Sequence, residues 1–524
     1  DASGQLSDTT IEVGTADQDI TMGSGDDTII FEDTDDLDEN DVDIDGGTGA
    51  DVIQAAFDAD PADDLDITGV ETIRMAFITD TAADNAVTID VTNSDDIATV
   101  QLMSDDSSTA EYGVATVAAD VITLEADGIS TVNLRGLVAD GGGTEIFNGL
   151  TISAFETGSP SALTISMNNI GNDAATVGVI TLDADVTALT IASANDDETA
   201  ATTFNEISAT GLTSVTITDA VTDADGVATR ENVIDLDDTT SLVTVDASGA
   251  IGGVSLALDG LADAATINLL QVDDNDDDAR DDLSITFVGD TGADDVTITG
   301  GDDIEEITIT NGDLDDLSIN TAGGNDVITL TGATGDNIEI TTGAGNDTVT
   351  GTADDEEYNL GAGNDIFNQS GGGDQIVTGA GTDEYNLDAF STTGDDVITD
   401  FTVGTDNIDV NVTLADQAGA TNALVYQAAA AGTAIAGTTT VFELTGVTTG
   451  GTAANLVTAL GNTATNTTID AGDTILIANY LTGGGAQIWS FVDADGASVA
   501  AGELTLQLTL NDVAADSLVT GDFI

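Results

Sequence analysis

Aspartate recurs at a fixed distance behind glycine. Three segments, Gly343-Ala-Gly345-Asn-Asp347, Gly361-Ala-Gly363-Asn-Asp365 and Gly379-Ala-Gly381-Thr-Asp383, begin at evenly spaced positions: 343, 361 and 379. Each is followed two places later by a large apolar side chain: Val349, Phe367 and Tyr385. Two partial units, Asp354-x-Glu356-x-Tyr358 and Gly372-x-Asp374-x-Ile376, fall midway, so the lead positions 345, 354, 363, 372 and 381 advance by nine each time. Related copies are Gly23-Ser-Gly25-Asp-Asp27-Thr-Ile29, Gly47-Thr-Gly49-Ala-Asp51-Val-Ile53 and the turn Gly323-Gly324-Asn325-Asp326. Glycine lets the backbone take positive φ and lays carbonyl oxygens open. The aspartate adds a carboxylate, and an apolar residue two places on anchors the turn. Such a unit offers hard oxygen donors, which suit a hard divalent cation with six to eight loosely arranged ligands.

The remaining inventory is narrow. Among 524 residues, 99 are acidic and four are basic, a formal charge of −95. The four cations are Arg74, Arg135, Arg230 and Arg280; histidine, lysine and cysteine are absent. Serine–histidine–aspartate triads, His-Glu-x-x-His zinc sites, thiol nucleophiles and lysine Schiff bases are therefore excluded. A carboxylate pair for glycoside cleavage stays formally open, but 99 acids bring some pairs within range by chance. The expectation is a protein that is not an enzyme. A chain this acidic repels nucleic acid and anionic membrane surfaces. Its carboxylates also repel one another, and either bulk salt or bound divalent cations would compensate. The sequence has no apolar run long enough for a transmembrane helix, so nothing is expected to span a membrane. The chain begins at Asp1 with neither methionine nor an apolar leader, so an upstream part is expected to lie outside it.

The elements that must position the aspartates are short strands. β-branched couplets recur at Val296-Thr-Ile298, Ile307-Thr-Ile309, Leu317-Ser-Ile319, Ile328-Thr-Leu330 and Ile338-Glu-Ile340, a nearly constant advance that tightens to nine beyond them. Val, Ile and Thr favour strands, and Gly, Asp and Asn favour the turns between them. A constant strand–turn step predicts a solenoid whose coils stack and bury one strand face. Regular hairpins in a β-sandwich are the alternative. One full coil would be two nonapeptides: turn, strand, turn, strand.

These units resemble the repeat-in-toxin (RTX) nonapeptide, Gly-Gly-x-Gly-x-Asp-x-(large apolar)-x. The following segment, from Gly394-Asp-Asp396 through Asp406-Asn-Ile-Asp409, is similar to the sequence that closes RTX arrays. The resemblance covers about residues 321–409, with the outlying copies near the N-terminus. It departs from the pattern at Asp354 in place of glycine and at Glu356 in place of aspartate. The resemblance implies an all-β fold, a parallel β-roll whose turns bind Ca2+, with a β-rich C-terminal domain. It places Ca2+ at the turns of Gly23, Gly25, Asp27, Gly47, Gly49, Asp51, Asp326, Gly343, Gly345, Asp347, Gly361, Gly363, Asp365, Asp374, Gly379, Gly381, Asp383 and Asp396. It also implies type I secretion, and Leu518-Val-Thr-Gly-Asp-Phe-Ile524 is similar to the uncleaved C-terminal signal of that route; an ordinary terminal strand is the competing reading.

Four segments are expected: an RTX-like part over 1–60, a β-rich repeat region over 61–284, the nonapeptide solenoid over 285–409, and a β-rich domain over 410–524. In the second, Ala188-Leu-Thr-Ile191, Ser214-Val-Thr-Ile217 and Leu242-Val-Thr-Val245 recur at a wider spacing, so the coils there would be larger or interrupted by loops. In the last, 453–460 reads as a short helix. Asp41-x-Asp43-x-Asp45-Gly46 and Asp493-Ala-Asp495-Gly496 open like EF-hand loops, but Val52 and Leu504 occupy the place of the bidentate glutamate, so both read as solvated loops. So does the run Asp273–Asp278. Threonine-rich β segments beside RTX repeats resemble bacterial surface-layer proteins. The expected function is an extracellular, calcium-dependent structural protein on a cell surface or in a matrix. It would assemble with itself into a sheet or filament, with cell-surface polysaccharide as a candidate anchor. An RTX adhesin is the alternative. A halophile's soluble protein would leave the register of nine unexplained.

Overall fold

A computed structural model describes the chain as two compact units, Asp1–Val288 and Gly289–Ile524. In the first it describes residues 8–13, 19–31, 43–57, 66–77, 87–90, 96–103, 121–125, 128–135, 149–153, 162–168, 176–177, 179–193, 202–219, 231–237, 241–249, 253–258, 261–262, 264–269 and 283–287. In the second it describes 295–302, 304–390, 395–412, 414–416, 419–420, 424–431, 433–436, 438–460, 474–493 and 499–524.

Both units are built on parallel strands. In the second unit each coil places one strand in each of two ladders. One ladder runs through Asp295–Thr299, the end of Glu305–Asn320, the end of Val327–Thr341, Glu357–Asn359, Gln375–Val377 and Asp396–Ile398. The other runs through the starts of the two long strands, then Thr348–Thr350, Ile366–Asn368, Glu384–Leu387 and Asn407–Val410. Ile307 pairs with Ile328 in the longer coils, whereas Val349 pairs with Phe367 and Tyr358 with Ile376 in the shorter ones. The shorter coils match two steps of nine. The fold is thus the β-solenoid that the repeat step predicts, with a coil of two half-steps.

Alternation explains the stacking. Ile307, Ile309, Leu317, Ile319, Ile328, Leu330, Ile338 and Ile340 are buried, whereas Ser318, Glu339 and Glu357 between such positions face out. A slip of one position would exchange the two sets and put carboxylates in the core, so the register is strongly specified. In the shorter coils one large side chain per strand fills the interior. Tyr358 meets Phe367 edge-on at 4.8 Å and Phe367 stacks on Tyr385 at 5.8 Å, centroid to centroid. Burying a side chain of this size contributes about 1.5–3 kcal/mol.

The first unit repeats the scheme with coils of unequal length. Thr10 pairs with Thr28 across a short coil, while Thr131 pairs with Thr164 across a much longer one. Ala188 pairs with Ser214, as the repeat predicts. Ser214, however, pairs with Thr244, so the next coil runs two positions longer than the alignment with Leu242-Val-Thr-Val245 implies. A shift of two keeps the same side chains inward, so the apolar pattern is compatible with either register.

The C-terminal part of the second unit closes the roll. The predicted helix is present as Ala453–Leu460, opened by the Thr452 hydroxyl, which accepts from the Asn455 amide at 3.2 Å. It buries Leu456 and Leu460 against Phe442, Ile475, Ile477, Trp489 and Phe491. Strands Thr474–Leu481, Ala486–Val492 and Leu504–Leu510 form an antiparallel meander. The last of these pairs in parallel with Asp396–Ile398, and the chain end hydrogen-bonds Asn407–Val410 through Ile524 N to Ile408 O and Val410 N to Ile524 O, both 3.0 Å. Among the described residues, no helix is long and apolar enough to cross a membrane. Because Phe367 bridges Tyr358 and Tyr385, Phe367→Ala is expected to cost about 3–5 kcal/mol. Urea unfolding of the calcium-loaded chain, followed by hydrogen exchange over positions 348–387, would show it; a change under about 1 kcal/mol would contradict this packing.

Candidate metal centre

The turn that precedes each aspartate is shaped by glycine. Gly363 has φ of 152°, and a Cβ there would fall 1.4 Å from the carbonyl oxygen of Gly345 in the preceding coil. Gly345 and Gly381 repeat this against Gly324 and Gly363, at 1.3 and 1.4 Å. The carbonyls of successive turns therefore lie along one line, each against the next glycine. Main-chain bonds hold the stack: Ala362 N to Gly343 O at 2.7 Å, Gly363 N to Ala380 O at 2.8 Å and Ala380 N to Gly361 O at 2.8 Å.

The aspartates form a parallel column. The amide of Glu305 donates to Oδ1 of Asp326 at 3.0 Å, that of Asp326 to Asp347 at 2.9 Å, that of Asp347 to Asp365 at 2.9 Å and that of Asp365 to Asp383 at 3.0 Å. Asp383 continues the column to Asp406 at 3.2 Å. All are buried, and Oδ2 of Asp326, Asp347, Asp365 and Asp383 finds no hydrogen-bond partner among the described residues. The Thr321 and Glu305 side chains favour the ionised form of Asp326, and the Thr378 side chain that of Asp383, against the larger effect of burial. Near the N-terminus, the Asp27 amide donates to Asp51 at 2.7 Å and the Asp51 amide to Glu71 at 2.6 Å, and Oδ2 of both aspartates is again buried without a partner.

Such stacking is costly for anions. Strands about 5 Å apart bring neighbouring carboxylates to a separation worth about 1 kcal/mol of repulsion even in water. Burial, with lesser contributions from Asp347 and Asp383, pushes Asp365 up to about 7 despite its bond from the Asp347 amide. Burial likewise raises Asp383 to about 6, and raises Asp326.

Glu356, Asp374 and Asp396 form a second column, Glu356 N to Asp374 Oδ1 at 3.0 Å and Asp374 N to Asp396 Oδ1 at 3.1 Å. Here hydroxyls occupy the remaining oxygens. Thr352 and Tyr358 donate to Glu356, the latter at 3.0 Å; Ser370 donates to Asp374 at 3.4 Å; Tyr385 donates to Asp396. Burial raises all three carboxyls, Asp396 to about 6.

A further column lies outside the predicted set. The residue before each aspartate also bonds coil to coil: Asn346 N to Asn325 Oδ1 at 2.7 Å, Asn364 N to Asn346 Oδ1 at 2.7 Å, and Thr382 N to Asn364 Oδ1 at 2.8 Å. The repeated Asn before Asp was the available signal. The EF-hand-like places differ from loops: Asp43–Asp45 is a strand with Ile44 buried, and Asp493 is buried. Asp41, Asp273–Asp278, Asp495 and Gly496 lie outside the described residues.

Among the described residues, no three His, Cys, Asp or Glu side chains gather at one point. A cation here would instead draw a carboxylate from consecutive coils and complete its shell with glycine carbonyls. The unpartnered Oδ2 atoms and the aligned carbonyls fit that donor set. Comparison of the chain with protein-family models and with curated proteins finds no match.

Folded-state carboxyls raised above their ordinary value near 3.9 stabilise the metal-free roll below about pH 4, and that stability is lost as pH rises through 6–7. In chelator, the urea midpoint of the roll is therefore expected to be highest near pH 4 and to fall as pH rises, vanishing by pH 8, where the metal-free roll no longer folds. Excess calcium should reverse the trend, because binding needs ionised carboxylates. A midpoint in chelator that rises over this range would refute the assignment of buried, uncompensated carboxyls.

Proposed function

We propose that the chain is an exported structural protein, not an enzyme, whose β-roll is cross-linked by Ca2+ and which assembles with copies of itself into an extracellular surface layer or matrix filament. The observation that carries this reading is the column of buried aspartates, in which Asp326, Asp347, Asp365 and Asp383 each keep one oxygen without a hydrogen-bond partner among the described residues, beside a file of glycine carbonyls. A calcium ion between consecutive turns would satisfy both and turn mutual repulsion into a bridge. Extracellular calcium modules bind at about 10⁻⁴–10⁻³ M, so ~10 mM calcium would stabilise each site by roughly 1.4–2.7 kcal/mol. Several sites together would switch the roll from unfolded, where calcium is scarce, to folded outside the cell. The chain end 518–524 is the proposed secretion signal, read while the roll is unfolded and seated against Asn407–Val410 once it folds.

Assembly follows from the same electrostatics. Copies with a formal charge of −95 repel strongly, and divalent ions between them would make association calcium-dependent. Cell-surface polysaccharide is the proposed anchor. Removing calcium should dissolve the assembly and abolish the β-signature of the 321–409 segment in circular dichroism and hydrogen exchange. Replacing Asp347, Asp365 and Asp383 together with Ala should remove several binding events by calorimetry. Electron micrographs of purified protein with and without calcium decide the assembly: ordered sheets or filaments that vanish in chelator are expected. Monomers in both conditions, with retained cell binding, would favour an adhesin.

A further inference from the structure

The two edges of the C-terminal roll differ. On one edge, the turns ending at Asp326, Asp347, Asp365 and Asp383 leave Oδ2 buried and, among the described residues, without a hydrogen-bond partner, with Asp365 fully buried and Asp347 and Asp383 each only 1% exposed. Thr321 and Thr378 stand near the two outer members, Asp326 and Asp383. On the other, the turns ending at Glu356, Asp374 and Asp396 give each remaining oxygen a hydroxyl, from Thr352 and Tyr358, Ser370, and Tyr385 respectively.

The backbone separates the edges independently. On the first edge the turns of Asp347, Asp365 and Asp383 carry paired positive-φ glycines, as at Gly343 and Gly345 or Gly361 and Gly363, and the second glycine of each pair sits against the carbonyl of its predecessor. In the turn of Asp326 the positive-φ pair is Ala322 and Gly324. On the second edge, positions 352–356 read Thr-Ala-Asp-Asp-Glu and hold no glycine. In the next turn Gly372, two places before Asp374, has positive φ and sits against the carbonyl of Asp354, where a Cβ would fall 1.8 Å away, but Ser370 stands four places before Asp374 where the first edge has a second glycine. The second edge thus keeps the carbonyl contact two places before Asp374 but replaces the other glycine of each pair with Thr352 and Ser370, the residues whose hydroxyls reach the carboxylates.

We propose that this roll takes divalent cations along one edge only, one in each space between the turns of Asp326, Asp347, Asp365 and Asp383, while the other edge is closed by hydroxyl–carboxyl hydrogen bonds and takes none. The inference rests on the calcium reading above and sharpens it. In the N-terminal unit, the turns of Asp27 and Asp51 share the first-edge signature: Gly47 and Gly49 sit against the carbonyls of Gly23 and Gly25, and Oδ2 of both aspartates has no hydrogen-bond partner among the described residues. They belong with the cation-binding class. Donor chemistry explains the division, since a neutral hydroxyl that already donates to a carboxylate oxygen competes with a cation for the same lone pairs.

Native mass spectrometry of the full chain, titrated with calcium, counts the bound ions. Asp365 borders two spaces, so Asp365→Asn is expected to lose two ions, and Asp374→Asn none, with circular dichroism in calcium confirming that each variant folds. Anomalous difference density from crystals of the wild-type chain grown in calcium needs no variant. Peaks between the first-edge turns and none between Glu356, Asp374 and Asp396 are expected. A peak on the second edge, or equal ion loss in Asp374→Asn, overturns the one-edge arrangement and leaves the calcium reading standing. Absence of calcium from both edges, with no ion bound in the titration, overturns the calcium reading itself.

Discussion

Like-charged carboxylates stacked one coil apart are the constraint on which the roll depends. Asp326, Asp347, Asp365 and Asp383 are held in file because each Oδ1 accepts the amide of the acidic residue in the preceding coil. The same bonds that set the register thus compress the charge. A winding backbone brings equivalent residues to one strand spacing whatever their chemistry. For Ile307 and Ile328 this produces a core, and for the aspartates it produces a field that must be compensated. Protonation, hydroxyl donation and cation binding are the three available answers. The arrangement of Thr352, Ser370 and the two tyrosines gives one edge the second answer, and the bare oxygens of the other edge leave room for the third.

The interior and the edges answer to different rules. In the shorter coils each brief strand contributes a single large inward side chain, so Tyr358, Phe367, Ile376 and Tyr385 fill the roll. Their tyrosine hydroxyls are not spectators. Tyr358 and Tyr385 reach from the core to Glu356 and Asp396, so the apolar stack and the second carboxylate column share residues. Buried tyrosine usually finds such a partner, since an unsatisfied hydroxyl is expensive to bury.

The coil length, the inward face and the glycine–aspartate turns of the C-terminal roll were legible in the sequence. A period of nine repeated over five units leaves one register that keeps every large apolar residue inward. The 453–460 helix was legible too, though its threonine cap was not. What escaped was interaction between coils. Nothing in Thr352-Ala-Asp-Asp-Glu356 announces that Thr352 and Tyr358 converge on one carboxylate, because that depends on where the strand turns the tyrosine. The Asn325–Asn346–Asn364 file was visible as repetition but had no meaning until stacking was known. In the first unit, coils as different as Thr10 to Thr28 and Thr131 to Thr164 erase the period, and only pairing across the ladder distinguishes Val245 from Val243 as the partner level of Val215.

A roll has two ends as well as two edges, and the C-terminal end is finished. Exposed strand edges invite pairing with another chain. Here the last strand of one ladder, Asp396–Ile398, is already paired with Leu504–Leu510, and that of the other, Asn407–Val410, is met by the chain terminus at Ile524. Asp522 reinforces the closure by accepting the Gly404 amide at 2.7 Å. Tyr426 and Tyr480 share the buried Glu443, and both tyrosines bond Leu518, fixing the segment that leads to the terminus. Strand addition at this end would have to displace both covers and their hydrogen bonds. The proposed self-assembly, were it to use the C-terminal unit, would therefore fall to its faces and turns, where a divalent ion could join two copies without breaking any strand pair.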